Sequence, residues 1–99
     1  MKRIISNPAS EIPMKGLETF YGEFKSTRKE ELLILQTALV NNDFGILSSM
    51  AHKWKGFCEP YGFGELAVMS DELESSAKNQ DRVACQHLLD SIEEYLASK

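Results

Sequence analysis

A chain of 99 residues with a formal net charge of −4 is long enough for one domain with a single modest core. Hydrophobic residues make up 42% and charged residues 26%, the balance of a globular domain, and an acidic chain with no long basic run argues against a nucleic-acid partner. No apolar stretch approaches the roughly 20 residues of a membrane span, and the apolar run in MKRIISNPASEIP is too short for a signal peptide, so a cytoplasmic protein without membrane contact is expected.

Residues 1–13 hold Pro8 and Pro13 and few large apolar groups, and they read as a short irregular N-terminal arm before a domain at 14–99. From Leu17 to Val40 the pattern is helical. Leu17, Phe20, Tyr21 and Phe24 share one face, and so do Leu32, Leu35 and Leu39. Gly22 and the pair Ser26-Thr27 leave one helix or two open. The stretch KSTRKEE at 25–31 reads as a solvated helical face, or as a source of cations for docking if this helix flanks the next one there.

NND at 41–43 is a break, with Asp43 a good N-cap. A second helix is expected from Phe44 to Cys58, with Phe44, Leu47, Ala51, Trp54 and Cys58 inward at alternating spacings of three and four. Pro60 ends it, because Glu59 before a proline is pushed out of the α region. Gly62 suits a left-handed or tight turn. A third helix fits 63–78, with Phe63, Leu66, Met69 (or Ala67) and Leu73 inward. After NQD at 79–81, a fourth fits 82–97 with Ala84, Leu88, Ile92 and Tyr95 on one face.

Alternating β-branched runs and hairpin dipeptides are missing. The expectation is an all-α fold, an antiparallel up-down-up-down four-helix bundle. Cys58 and Cys85 are far apart and form no CxxC pair, so two reduced core residues are expected. His87 reads as a surface histidine, and Cys85 two residues before it points to another side of the helix.

His52 stands apart from the apolar stripe. At about 100° per residue it points about 125° away from the stripe's centre, toward solvent. Its neighbours one turn away are Ser48, Ser49, Lys55 and Gly56. A glycine inside a helix costs about 1 kcal/mol relative to alanine; clearance for a large partner at the imidazole edge is a reason to keep one. Lys55 sets a cation within reach of an anionic group carried on the ring, such as a phosphoryl group. A lone surface histidine with a lysine three residues on also arises without function.

The wider pattern AHKWKG, then Gly62, Leu66 and the pair Leu73-Glu74, resembles histidine-containing phosphotransfer (HPt) domains. That family's pattern is a phosphoacceptor histidine, lysine and glycine at the next turn, a second glycine, then an apolar residue before Glu or Gln; here these are His52, Lys55, Gly56, Gly62, Leu73 and Glu74. The likeness covers about residues 17–97, and the family fold is a four-helix bundle. Phe57, Trp54 and Cys58-Glu59-Pro60-Tyr61 depart from the usual residues and bear on the docking surface.

The resemblance implies that His52 takes a phosphoryl group on Nε2 while Glu74 accepts a hydrogen bond from Nδ1–H. It implies partners in a receiver (response-regulator) domain and a histidine kinase or hybrid kinase. The chain would be a phosphocarrier with no ATP site or cofactor of its own, the partner receiver supplying Mg²⁺. Expected partner contacts are Ser48, Ser49, Lys53, Phe57 and Lys78. Lys78 follows Glu74 by one turn and reads equally as its i, i+4 ion-pair partner. Phe57 and Tyr61 either widen a docking patch around His52 or lie against the first helix.

Two other readings share the fold: a binding module that transfers nothing, and the phosphotransfer domain of a larger chemotaxis-type or hybrid kinase. Met1 and the irregular arm suit a free-standing chain. A metal-dependent or hydrolytic enzyme is a more distant reading, for no carboxylate cluster or serine elbow accompanies His52.

Overall fold

The breaks at 41–43 and 79–81 close their helices in the same way. Asn42 and Gln80 take left-handed conformations, with φ of 55° and 54°. The Asp43 N–H then reaches back to the Ala38 carbonyl, and the Asp81 N–H to that of Ser76. This is the Schellman pattern of helix ends. Each aspartate immediately starts the next helix: Asp43 accepts from the Ile46 N–H and Asp81 from the Ala84 N–H, both at 3.1 Å.

The computed structural model describes residues 11–99. Four helices follow in order: α1 (Tyr21–Val40), α2 (Phe44–Phe57), α3 (Gly64–Lys78) and α4 (Arg82–Ser98), with short 3₁₀ turns at Glu18–Phe20 and Glu59–Tyr61. No strand occurs among the described residues. The Cα radius of gyration is 12.8 Å, near the value of about 13 Å for a packed chain of 100 residues. No helix among the described residues is long and apolar enough to cross a membrane.

Each helix has two neighbours: α1 packs on α2 and α4, and α3 packs on α2 and α4, with the α2–α3 pairing the most extensive. Two neighbours require a wide apolar stripe. In α4 the expected Cys85, Leu88, Ile92 and Tyr95 are buried, but so are Leu89 and Leu96, while Ala84 is half-buried. Leu47, Ala51, Trp54 and Cys58 of the second stripe are buried, with Phe44 half-buried. In α3, Met69 takes the buried position and Ala67 is half-buried. Both cysteines are buried and free; burial pushes the Cys58 thiol up to about 12 and raises Cys85 as well.

Two expectations for the first helix need correction. Phe20 is exposed, because the 3₁₀ turn at Glu18–Phe20 advances faster per residue than an α-helix and rotates that ring off the inward face. The 25–31 stretch is not wholly solvated. Arg28 is buried and Glu31 half-buried, since α2 lays Phe57 and Trp54 over them. Gly22 and Ser26-Thr27 do not interrupt α1, which is one helix.

Of the expected arm, residues 1–10 lie outside the described residues. Residues 11–14 dock on the bundle. The Met14 N–H donates to the Pro60 carbonyl at 2.7 Å. Gly62 has φ 92°, and a Cβ there would come within 2.7 Å of the Pro13 nitrogen, so both backbone and space require glycine. The Glu11 carboxylate accepts from the Glu65 N–H, the Tyr95 O–H and Lys99 Nζ, each at 2.7 Å. Burial alone would raise the Glu11 pKa, but Lys99, the Glu65 N–H and Tyr95 outweigh it and lower it. The Tyr95 phenol is raised, first by burial and then by Glu11.

Candidate functional site

His52 lies on the solvent side of α2, opposite Ala51 and Trp54, and its side chain keeps 66% of its surface exposed. The ring is nonetheless fixed. Its Nδ1 sits 3.0 Å from Glu74 Oε2 on α3.

Glu74 is placed by its neighbours. Leu73 and Ala77 of α3 are buried, and the face that buries them turns position 74 toward α2. A carboxylate held at 8% exposure must be paired. Oε1 accepts from Lys55 Nζ at 2.8 Å; Oε2 accepts from His52 and from Lys78 Nζ, the latter at 3.1 Å. The Lys55 ammonium first, then Lys78 and the His52 N–H, hold the carboxyl well below its usual range, at about 2, against the opposing effect of burial. An ionised carboxylate only accepts. The Nδ1 facing it therefore donates, which in the neutral tautomer leaves the lone pair on Nε2. Nε2 has no protein partner among the described residues. The result is an oriented imidazole whose outer nitrogen is open to a large reagent.

Lys55 is shared between Glu74 and Asp71, whose Oδ1 is 3.2 Å from Nζ. Glu74 first and Asp71 second raise its pKa, so it stays an ammonium beside the ring. Lys78 makes the i, i+4 pair with Glu74 and leaves 65% of its side chain exposed. Gly56 is on the outer face, and a Cβ there would meet nothing within 4 Å. The interior therefore gives no reason for that glycine.

The structure thus brings His52, Lys55, Glu74 and Lys78 together. The other expected partner contacts are separate from them. Ser48 donates to the Gly45 carbonyl at 3.2 Å. Ser49 and Lys53 are exposed, without an ion pair among the described residues. Phe57 and Tyr61 lie against the first helix: Tyr61 stacks on Phe24 with centroids 4.5 Å apart, and Phe57 meets Phe24 edge-on at 5.7 Å.

Sequence reasoning missed Asp71 and the brace behind α2. There the Trp54 Nε1–H donates to Glu31 Oε1 at 2.8 Å, and Arg28 Nε lies 3.0 Å from the same oxygen. The available signals were Asp71 one turn before Glu74 and the Arg28–Glu31 spacing of three, both common in solvated helices.

No group of three or more His, Cys, Asp or Glu side chains is arranged to hold a metal ion among the described residues. His87 is exposed. Comparison of the chain with protein-family models, with curated proteins and with solved structures gave no match.

Proposed function

We propose that the protein is a phosphocarrier of the histidine phosphotransfer type, with His52 as the phosphoacceptor. The observation that carries this reading is the exposed imidazole pinned through Nδ1 to a nearly buried, ionised carboxylate at 3.0 Å. In the forward step the Nε2 lone pair attacks the phosphorus of an aspartyl phosphate on a receiver domain. The N–P bond forms as the P–O bond breaks, and the aspartate leaves as a carboxylate. The ring keeps its Nδ1 proton, and Glu74 stabilises the positive charge that develops on it. The return step reverses these bonds.

Lys55, already beside the ring, supplies charge neutralisation for the phosphoryl oxygens. Lys78 remains the second cation on Glu74 and a contact for the partner. Mg²⁺ belongs to the receiver in this reading. The upstream donor is a histidine kinase or hybrid kinase, and the setting is the cytoplasm.

The finer topology is an inference of the same kind. Residue 52 bonds to 74 and 55 to 71, while Leu39 accepts from Arg82 and Lys99 lies over the ring of Tyr21. Such registers, in which numbers rise on one helix as they fall on its neighbour, support an antiparallel up-down-up-down order.

The test is transfer of labelled phosphate from a phosphorylated receiver domain. Acid-labile label on the wild type and none on His52→Ala is expected. Equal labelling of the two would exclude His52 as the acceptor. Binding without any labelling would favour a docking module that transfers nothing.

A further inference from the structure

Arg28 is a cation for which the phosphocarrier reading has no use. It is only 6% exposed. Its guanidinium carbon lies 4.5 Å from the Phe24 ring centre and 4.7 Å from that of Phe57 on α2. A guanidinium carries five N–H donors. Its one polar partner among the described residues is Glu31, at Nε, and that Glu31 oxygen already accepts from Trp54. The Nη nitrogens have no protein acceptor among the described residues. The Nη groups keep some solvent access, so water meets these donors until a charged acceptor displaces it.

Arg28 lines a cavity of about 160 Å³ together with Phe20, Glu23, Phe24, Thr27 and Tyr61. Cofactor and metabolite pockets run from about 300 to 1,000 Å³. The smaller volume fits one inserted side chain. Phe20 and Phe57 flank it, 49% and 36% exposed. Arginine and aromatic rings around a small pocket that a partner would seal from water are the composition of an interface hot spot. The pocket lies on the α1 side of α2, whereas His52 meets Glu74 on the α3 side. At about 100° per residue, Gly56 and Phe57 lead from His52 around α2 toward α1. A standard interface covers about 800 Å² per partner, enough to span both.

We propose that this pocket receives an acidic side chain of the receiver domain that docks over His52. The identity of the partner rests on the phosphocarrier reading; the carboxylate chemistry rests on Arg28. The two Nη groups offer the forked donors that a carboxylate accepts in pairs. Thr27 adds a hydroxyl. Glu23, exposed on the rim, sets a like charge against the incoming acid.

The test uses the full chain and a receiver domain phosphorylated with acetyl phosphate, choosing the receiver that labels or binds the chain best. Transfer rate is read against receiver concentration, and binding of the unphosphorylated receiver is read by calorimetry. Arg28→Met and Phe20→Ala should raise KM and Kd about tenfold, as expected for an interface anchor, with the rate at saturation retained. Glu23→Gln, a surface change, should lower both. Circular dichroism checks that Arg28→Met folds; if it does not, Phe20→Ala and Glu23→Gln decide.

Labelling of His52 with KM unmoved by these variants would overturn the pocket and leave the relay intact. Arg28-dependent binding without labelling would overturn the relay and leave the pocket. Absence of any receiver binding would overturn both. Calorimetric binding of free glutarate at micromolar concentration would replace the partner's side chain with a small carboxylate.

Discussion

Glu74 is the residue on which the charges of the site converge, and it makes the sharpest prediction at this scale. Glu74→Ala removes the acceptor that fixes the His52 tautomer. Phosphotransfer should fall on the order of tenfold, the usual lower cost of losing a ring-orienting partner. Nitrogen-15 NMR should show the ring passing from the Nδ1–H form to a mixture. Gly56 tests clearance against packing. Gly56→Ala should raise stability by about 1 kcal/mol in urea unfolding, since the new Cβ meets nothing in the protein. Gly56→Leu should leave the fold intact and slow transfer. Loss of folding, with normal transfer in the folded fraction, would remove the clearance argument.

The spacing of His52, Lys55 and Gly56 is legible in sequence because the helical period alone puts them on one outward face. Asp71 and Arg28 are not legible in that way. Which carboxylate Lys55 meets depends on how α3 is turned against α2. Whether Arg28 is buried depends on Phe57, 29 positions further along the chain.

At the scale of elements, caps and stripes were readable and the first turn was not. Asp43 and Asp81 are strong caps in sequence and act as caps in space. Replacing either with alanine should cost about 1 kcal/mol. Gln80 holds a left-handed conformation that glycine adopts more easily. Gln80→Gly should therefore stabilise by about 1 kcal/mol, and a thermal melt that moves down instead would contradict the cap assignment. Phe20 was misplaced because the 3₁₀ turn before α1 leaves no periodic mark in three residues. The stripe expected for the fourth helix left out Leu89 and Leu96, which are buried because α4 packs on both α1 and α3; Cys85 was expected in the core and is there.

For the whole molecule, the all-helical fold was legible from apolar periodicity and the two Asx-rich breaks. The docking of residues 11–14 was not, because it rests on contacts of Glu11 with Tyr95 and Lys99, more than 80 positions away. These ion pairs give stability a pH dependence with a definite sign. The Glu74 carboxyl stands at about 2 in the folded chain against an ordinary value of 4.5, and Glu11 is lowered too. Each contributes stability that is fully present above the ordinary value and lost as pH falls toward the folded one. Urea midpoints should drop between pH 5 and pH 2.5. In Glu74→Gln, which has no carboxyl to protonate, that drop should be shallower.

The most direct measurement is phosphorus-31 and nitrogen-15 NMR of the ¹⁵N-labelled chain after exposure to a phosphorylated receiver domain. The account predicts one phosphoramidate, coupled to Nε2 of His52, with the Nδ1 proton still in its bond to Glu74. Phosphate on Nδ1, on another residue, or nowhere after incubation with each receiver of the organism would contradict it.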